Sequence, residues 1–162
     1  MNQSTGYSRM QIRLHWATVV LVALQYLLHE GISEAYEVAQ DTGVYALSTP
    51  VVGHAAGGMI ILLLTAWRLM LRREHGAPPP PEGEPALFRR LSHAGHMSFY
   101  VLLFLLPVTG VMAWGGRIEA AGDAHEVLRA ILMIVILAHV GAVLVHQFVW
   151  KTGLLRRMMR PQ

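Results

Sequence analysis

From Val127 to Val149 the chain is mostly apolar and long enough to cross a bilayer as one helix, yet it contains His139 and begins just after His125. A helix spanning lipid needs about 20 predominantly apolar residues. An ionisable group inside such a helix is costly and calls for a partner. His125 and His139 are fourteen residues apart. That is nearly a whole number of turns, so both imidazoles leave the helix from nearly the same face, roughly 21 Å apart along its axis. Two inward histidines at different depths suggest two cofactors stacked across the bilayer. Haem is the leading candidate, because neutral imidazole is a standard axial ligand of its iron.

Composition fits the membrane setting. The 162 residues are 54% hydrophobic and 14% charged, with a mean hydropathy of +0.41, which is unusual for a soluble domain. There is no cysteine, which excludes disulfides, iron–sulfur clusters, thiolate-ligated zinc and covalently attached c-type haem. An isoelectric point near 9.7 would suggest a nucleic-acid partner in a soluble protein. Here the basic residues lie at the ends of apolar runs, so membrane topology accounts for them and no nucleic-acid binding is expected.

The pattern predicts an all-α integral membrane four-helix bundle forming a single domain over 1–162. Its spans run from about Ile12 to His29, from Val51 to Leu71, from about Ser92 to Trp114 and from about Asp123 to Trp150. Arg13 and His15 interrupt the first apolar stretch and no small-residue cleavage site follows, so that stretch reads as a retained helix rather than a signal peptide. Between the second and third spans, Ala77–Pro85 reads as a stiff polyproline-like connector. Of the thirteen Lys and Arg, all but Arg117 and Arg129 fall on one side of this arrangement. The other side carries Glu30, Glu34, Glu37, Asp41, Glu119, Asp123 and Glu126. Basic residues near span ends face the cytoplasm, which puts both termini there. Trp16, Trp67, Trp114 and Trp150 fall near span ends, as interfacial anchors do.

Depth then sorts the histidines. His15 lies near the cytoplasmic end of the first span and His54 near the outer end of the second. His125 starts the fourth span outside and His139 lies deeper, toward the cytoplasm. Matched depths pair His54 with His125 and His15 with His139. His15 and His29 are also fourteen apart, so the first and fourth spans alone could supply two level pairs, and periodicity leaves both schemes open. His75 reads as a loop residue, and His93 and His96 as polar groups at the cytoplasmic start of the third span. Small residues in Val52-Gly53-His54-Ala55-Ala56-Gly57-Gly58 suit either close helix packing or room for a macrocycle. A zinc or copper site, or a metal transporter, is less well supplied, since no thiolate or buried carboxylate completes a ligand set.

Several stretches together resemble the bacterial cytochrome b561 family of small di-haem inner-membrane proteins, over nearly the whole length. They are Tyr7-Ser8-Arg9-Met10-Gln11-Ile12-Arg13-Leu14-His15-Trp16, His54 with Gly57, Leu91-Ser92-His93-Ala94-Gly95-His96 and Leu106-Pro107-Val108-Thr109-Gly110. The last runs from His139 through His146 to Phe148-Val149-Trp150-Lys151 and closes on Leu155-Arg156-Arg157-Met158-Met159. The resemblance implies two haem b groups, one held by His15 and His139 and the other by His54 and His125, with His29 unassigned. It also implies electron transfer to ubiquinone, and its superoxide oxidase type would make superoxide the donor outside the cytoplasm. His146, Trp150 and Lys151 are then candidates for a quinone site. Steering an anion calls for a positive funnel, whereas the outer loops are mostly acidic and offer only Arg117 and Arg129 as a local positive spot. Acidic loops suit a basic periplasmic donor protein, which makes an electron-carrier subunit the rival expectation.

Overall fold

The computed structural model describes residues 6–81 and 85–161. Their elements are α1 (Arg9–Leu27), α2 (His29–Thr42), α3 (Thr49–His75), α4 (Ala86–Trp114), α5 (Glu119–Leu144), a π-helical turn (Val145–Val149) and α6 (Leu154–Arg157), with no strand among the described residues. Helix ends follow local chemistry. Ser8 caps α1 by accepting from the Gln11 amide, and the Gln11 side chain reciprocates, which satisfies two amides that a helix start otherwise leaves open. Pro50 occupies the first turn of α3, where its missing N–H costs nothing. Arg72 and Arg73 close α3 against its negative dipole end, and Gly76 follows at φ 73°.

Three helices are long and apolar enough to cross a membrane: α3, α4, and α5 with its π-helical turn. The first apolar stretch differs from its expected form. Instead of one span from Ile12 to His29, α1 stops at Leu28 and the chain continues as α2, bent by 53°. The sequence turns polar at that point, with Glu30, Glu34, Glu37 and Asp41 replacing the apolar run. A helix that leaves lipid gains by lying over the bundle instead of extending into water. Gly31 permits this, since a Cβ there would meet Pro50 of α3 at 3.0 Å. Counted with its bent continuation, α1 makes a fourth candidate span. The connector between α3 and α4 has no regular structure from Ala77 to Pro81 and ends at Pro85, the N-cap of α4; 82–84 of that expectation lie outside the described residues.

Helix α3 packs on α1 and α4, α4 packs most extensively on α5, and α2 lies on α3. Large apolar side chains such as Val101, Ile134 and Leu137 point outward and are 53%, 66% and 63% exposed. In water such a surface would aggregate; against lipid tails it is the expected outer face. Inside, Ile61, Leu102, Leu103 and Leu132 form the buried centre, with Phe99, Leu106, Leu128 and Ile136 around it. Leu132 lies seven residues from both His125 and His139, and Ile61 lies seven beyond His54. The apolar layer therefore occupies the same helix faces as the histidines, one stretch deeper.

The end of the bundle that carries most of the Arg residues is tied down by its own polar bonds. Gln11 Nε2 donates to the Gly76 carbonyl at 3.2 Å, Trp16 Nε1 to the Met158 carbonyl at 2.9 Å and Arg157 to the Pro79 carbonyl at 2.8 Å. Phe88 meets Trp150 edge to face at 4.9 Å. These contacts fold the C-terminal segment back over α1 and α4. The opposite, acidic end is covered by α2.

Candidate functional site

At the acidic end, α3 brings His54 and α5 brings His125 into a facing pair with ring centres 6.1 Å apart. His125 Nδ1 lies 2.9 Å from the Leu106 carbonyl and 3.1 Å from Thr109 Oγ1. A carbonyl can only accept, so that bond puts the imidazole proton on Nδ1 and leaves Nε2 as a bare donor atom. Metal-bound histidines are held in this way, by a bond from the second nitrogen to a carbonyl or carboxylate. Helix α4 is shaped to receive the ring. Pro107 interrupts its backbone bonding, and Thr109 Oγ1 lies 3.0 Å from the Leu105 and Leu106 carbonyls. Gly110 has no side chain where the ring sits; a Cβ there would be 3.4 Å from His125 Cε1.

His54 is fixed through its backbone. Gln25 Nε2 of α1 donates to the His54 carbonyl at 2.9 Å. Gly57 makes that approach possible, because any Cβ at Gly57 would run into the Gln25 amide, whereas Gly53 and Gly58 face open space. The glycines near His54 thus divide between close packing and clearance. His29, the rival ligand, lies near enough to act electrostatically on His54 and His125, but its Nε2 is engaged: it accepts from the Arg129 guanidinium, and Ser33 Oγ lies 2.9 Å from the same nitrogen.

The basic end is arranged differently. The imidazole packed on His139 belongs to His96, with ring centres 5.7 Å apart, and Phe99 covers His139 at 5.4 Å. His96 Nδ1 donates to the Ser92 carbonyl at 2.7 Å, which leaves its Nε2 bare in the manner of His125. His15 is close enough to His139 and His96 to interact electrostatically, but its Nδ1 accepts from Arg68 at 3.2 Å. A histidine bound to metal through Nε2 carries its proton on Nδ1 and cannot accept there. Ligation by His15 through Nε2 therefore requires Arg68 to turn aside. Thr65, three residues before Arg68, holds a buried hydroxyl with no hydrogen-bond partner among the described residues.

Beyond His139, the π-helical turn sets His146 against Trp150 at 4.6 Å, with His146 Nδ1 3.0 Å from Thr152 Oγ1. His146 is buried and Trp150 partly exposed. Lys151 adopts a left-handed backbone at φ 52°. It lines a shallow cleft of about 320 Å³ with Gln147, Phe148 and Gly153. The three residues considered for a quinone thus split into a pair and an outlier. His75 is exposed beside Glu74 at 3.9 Å, and His93 is exposed.

The donor set at the acidic end fits haem. Two imidazoles facing one metal ion through bonds of about 2 Å have ring centres about 6 Å apart. Their spacing, the bare Nε2 of His125 and the side-chain-free face of Gly110 agree with that geometry. Arg68, the His29 contact of Arg129 and the roles of Leu106, Thr109 and Gly110 were not anticipated from sequence. Charge inside an apolar run was the available signal for Arg68, which counted only toward topology; Arg129 also stood, with Arg117, as a local positive spot, without a position relative to the histidines.

An all-helical membrane protein whose histidines meet across helices at two levels falls in the class of membrane cytochromes b. The chain belongs to the prokaryotic cytochrome b561 family, whose sequence profile matches residues 6–161. It is also 34% identical over 162 residues, all of both chains, to a protein named cytochrome b562 from Cereibacter sphaeroides. Membership makes it a bacterial multi-pass membrane protein that binds haem b and takes part in electron transfer.

Proposed function

We propose that this chain, as one four-helix domain over 1–162 with both termini cytoplasmic in the inner membrane, carries electrons through two haem b groups to ubiquinone. His54 and His125 hold one group near the outer face, and His15 and His139 hold the other near the cytoplasm. The facing His54–His125 pair carries this reading. Bound haem supplies one-electron chemistry at its iron. The protein's part is to orient the axial imidazoles, as the Leu106 carbonyl and Thr109 do for His125, and to keep water out between the levels, as Ile61 and Leu132 do. His146 and Trp150 offer an imidazole beside an aromatic face. That combination can hydrogen-bond a quinone carbonyl and pass it a proton.

Superoxide is the donor favoured by the resemblance. Rapid mixing of the purified protein with superoxide, with and without ubiquinone, tests it. The expected result is haem reduction by superoxide followed by re-oxidation on quinone addition; absence of reduction rejects this donor. A second reading rests on a cleft of about 440 Å³ at the acidic end, lined by Tyr36, Glu37, Gln40, Asp41, Glu119 and Asp123. It suits a basic periplasmic electron-donor protein, whose association would weaken steeply with salt. Superoxide reduction that is fast and insensitive to partner proteins favours the first reading.

A further inference from the structure

Arg129 lies in α5, one turn inward of His125, yet its side chain reaches His29 at the start of α2. Its backbone is anchored as well: Tyr26 Oη donates to the Arg129 carbonyl at 2.7 Å. The guanidinium is therefore held across the junction of α1, α2 and α5, and it acts electrostatically on both His54 and His125. A guanidinium has five N–H donors and never loses its charge. Among the described residues its partners are the neutral acceptor His29 and the carboxylate of Glu126, 4.0 Å away with a side chain 76% exposed. So distant and wet a pair stabilises little. The Arg129 side chain is itself 31% exposed, so the N–H groups that His29 does not use are open to an anion.

We propose that Arg129, oriented by His29, is a binding group for an anionic oxygen ligand, a carboxylate or small oxyanion, at the edge of the outer histidine pair. The inference rests on the reading that His54 and His125 hold a haem. The carboxylate has two possible sources: a propionate of that haem, resident whenever the cofactor is bound, or an oxyanion arriving from outside. Both use the planar, bidentate fork that arginine offers and lysine lacks. Either way the local field favours the reduced state of the outer group, so the acidic end contains a positive point where an electron enters.

The experiment uses the purified holoprotein with Arg129→Gln, Arg129→Lys and, as a second route, His29→Ala. Redox titration of Arg129→Gln is expected to lower the reduction equilibrium constant of one haem about ten-fold, which is roughly 59 mV for one electron. The other haem is unchanged, Arg129→Lys recovers much of the loss, and His29→Ala shifts the same haem in the same direction by less. Reduced-minus-oxidised infrared spectra, with formate as the probe, separate the sources. A carboxylate band displaced in Arg129→Gln and indifferent to formate identifies the resident propionate. Saturable formate binding that lowers the wild-type potential, at least ten-fold weaker in Arg129→Gln, identifies an external oxyanion. Unchanged potentials and spectra in both Arg129→Gln and His29→Ala, with or without formate, overturn the proposal. If His54→Ala and His125→Ala each keep both haems, the underlying reading fails instead, and that outcome is separate.

Discussion

The two ends of this bundle solve one problem, presenting imidazoles inside a membrane, in different ways. At the acidic end two rings face each other and the surrounding chain is committed to that arrangement. The Leu106 carbonyl fixes a tautomer, Gly110 clears space and Gln25 pins the opposing backbone. At the basic end three histidines cluster, His139 is covered by His96 and Phe99, and His15 is engaged by Arg68. If His54 and His125 are the ligands proposed above, the first is preorganised, with the tautomer and spacing of its rings already set by neighbouring bonds. The second has to rearrange, since His15 can use Nε2 only after losing its bond to Arg68. Ordering that is already in place does not have to be supplied by the cofactor, so the acidic-end site is expected to load first and hold more tightly.

The largest test removes ligands. His125→Ala or His54→Ala should lower haem per chain by roughly half, since one axial bond is lost from a paired site, as read by haem extraction and absorbance. Retention of both haems breaks the comparison at its stronger end. At the other end, His15→Ala is expected to remove the remaining haem and His96→Ala to leave it in place. The reverse pattern would make His96 the partner of His139 and sharpen the account of why His15 rests on Arg68.

Smaller effects should follow from the supporting residues. Gly110→Val places branched carbon where a single Cβ would already stand 3.4 Å from the His125 ring. Haem affinity at the acidic end should fall about 10- to 100-fold, the range for disturbing a group that orients a ligand, with the basic-end spectrum unaffected. His146→Ala should slow quinone reduction roughly ten-fold or more while both haem spectra and reduction by the outer donor stay as they were; unaltered quinone kinetics return His146 to a packing role. Trp16→Phe, which deletes the bond to the Met158 carbonyl, should cost about 1 kcal/mol of stability, measured by thermal denaturation in detergent.

The sequence made some of this plain and concealed the rest for physical reasons. Long apolar runs disclose α3, α4 and α5, because a bilayer admits few alternatives. The fourteen-residue spacing places His125 and His139 on one face with no knowledge of neighbours. The bend at Leu28 was not legible, since an apolar run that turns polar reads equally well as a helix end or as a helix leaving lipid. Nor could the π-helical turn be foreseen: it is a change in which carbonyl the Trp150 amide selects, Val145 at 3.0 Å. Arg68 and Arg129 were visible as charges but their partners were not. Each contacts a histidine on another helix, more than fifty residues away in sequence for Arg68 and one hundred for Arg129, and no local pattern encodes such a meeting.

The buried layer of Ile61, Leu102, Leu103 and Leu132 has an electrical consequence. None of these side chains can bind or pass a proton. A charge moved between the His125 and His139 levels, roughly 21 Å of a hydrocarbon core of about 30 Å, therefore crosses most of the voltage drop without a compensating proton beside it. For inward electron flow, each 100 mV of negative-inside potential opposes the step by about 1.5 kcal/mol, some two-thirds of the full-membrane value. That is roughly ten-fold in the equilibrium. On the proposed route from an outer haem to a cytoplasmic-side haem, the energised membrane itself is a brake on the protein, strongest when the cell is well charged and released as the potential falls.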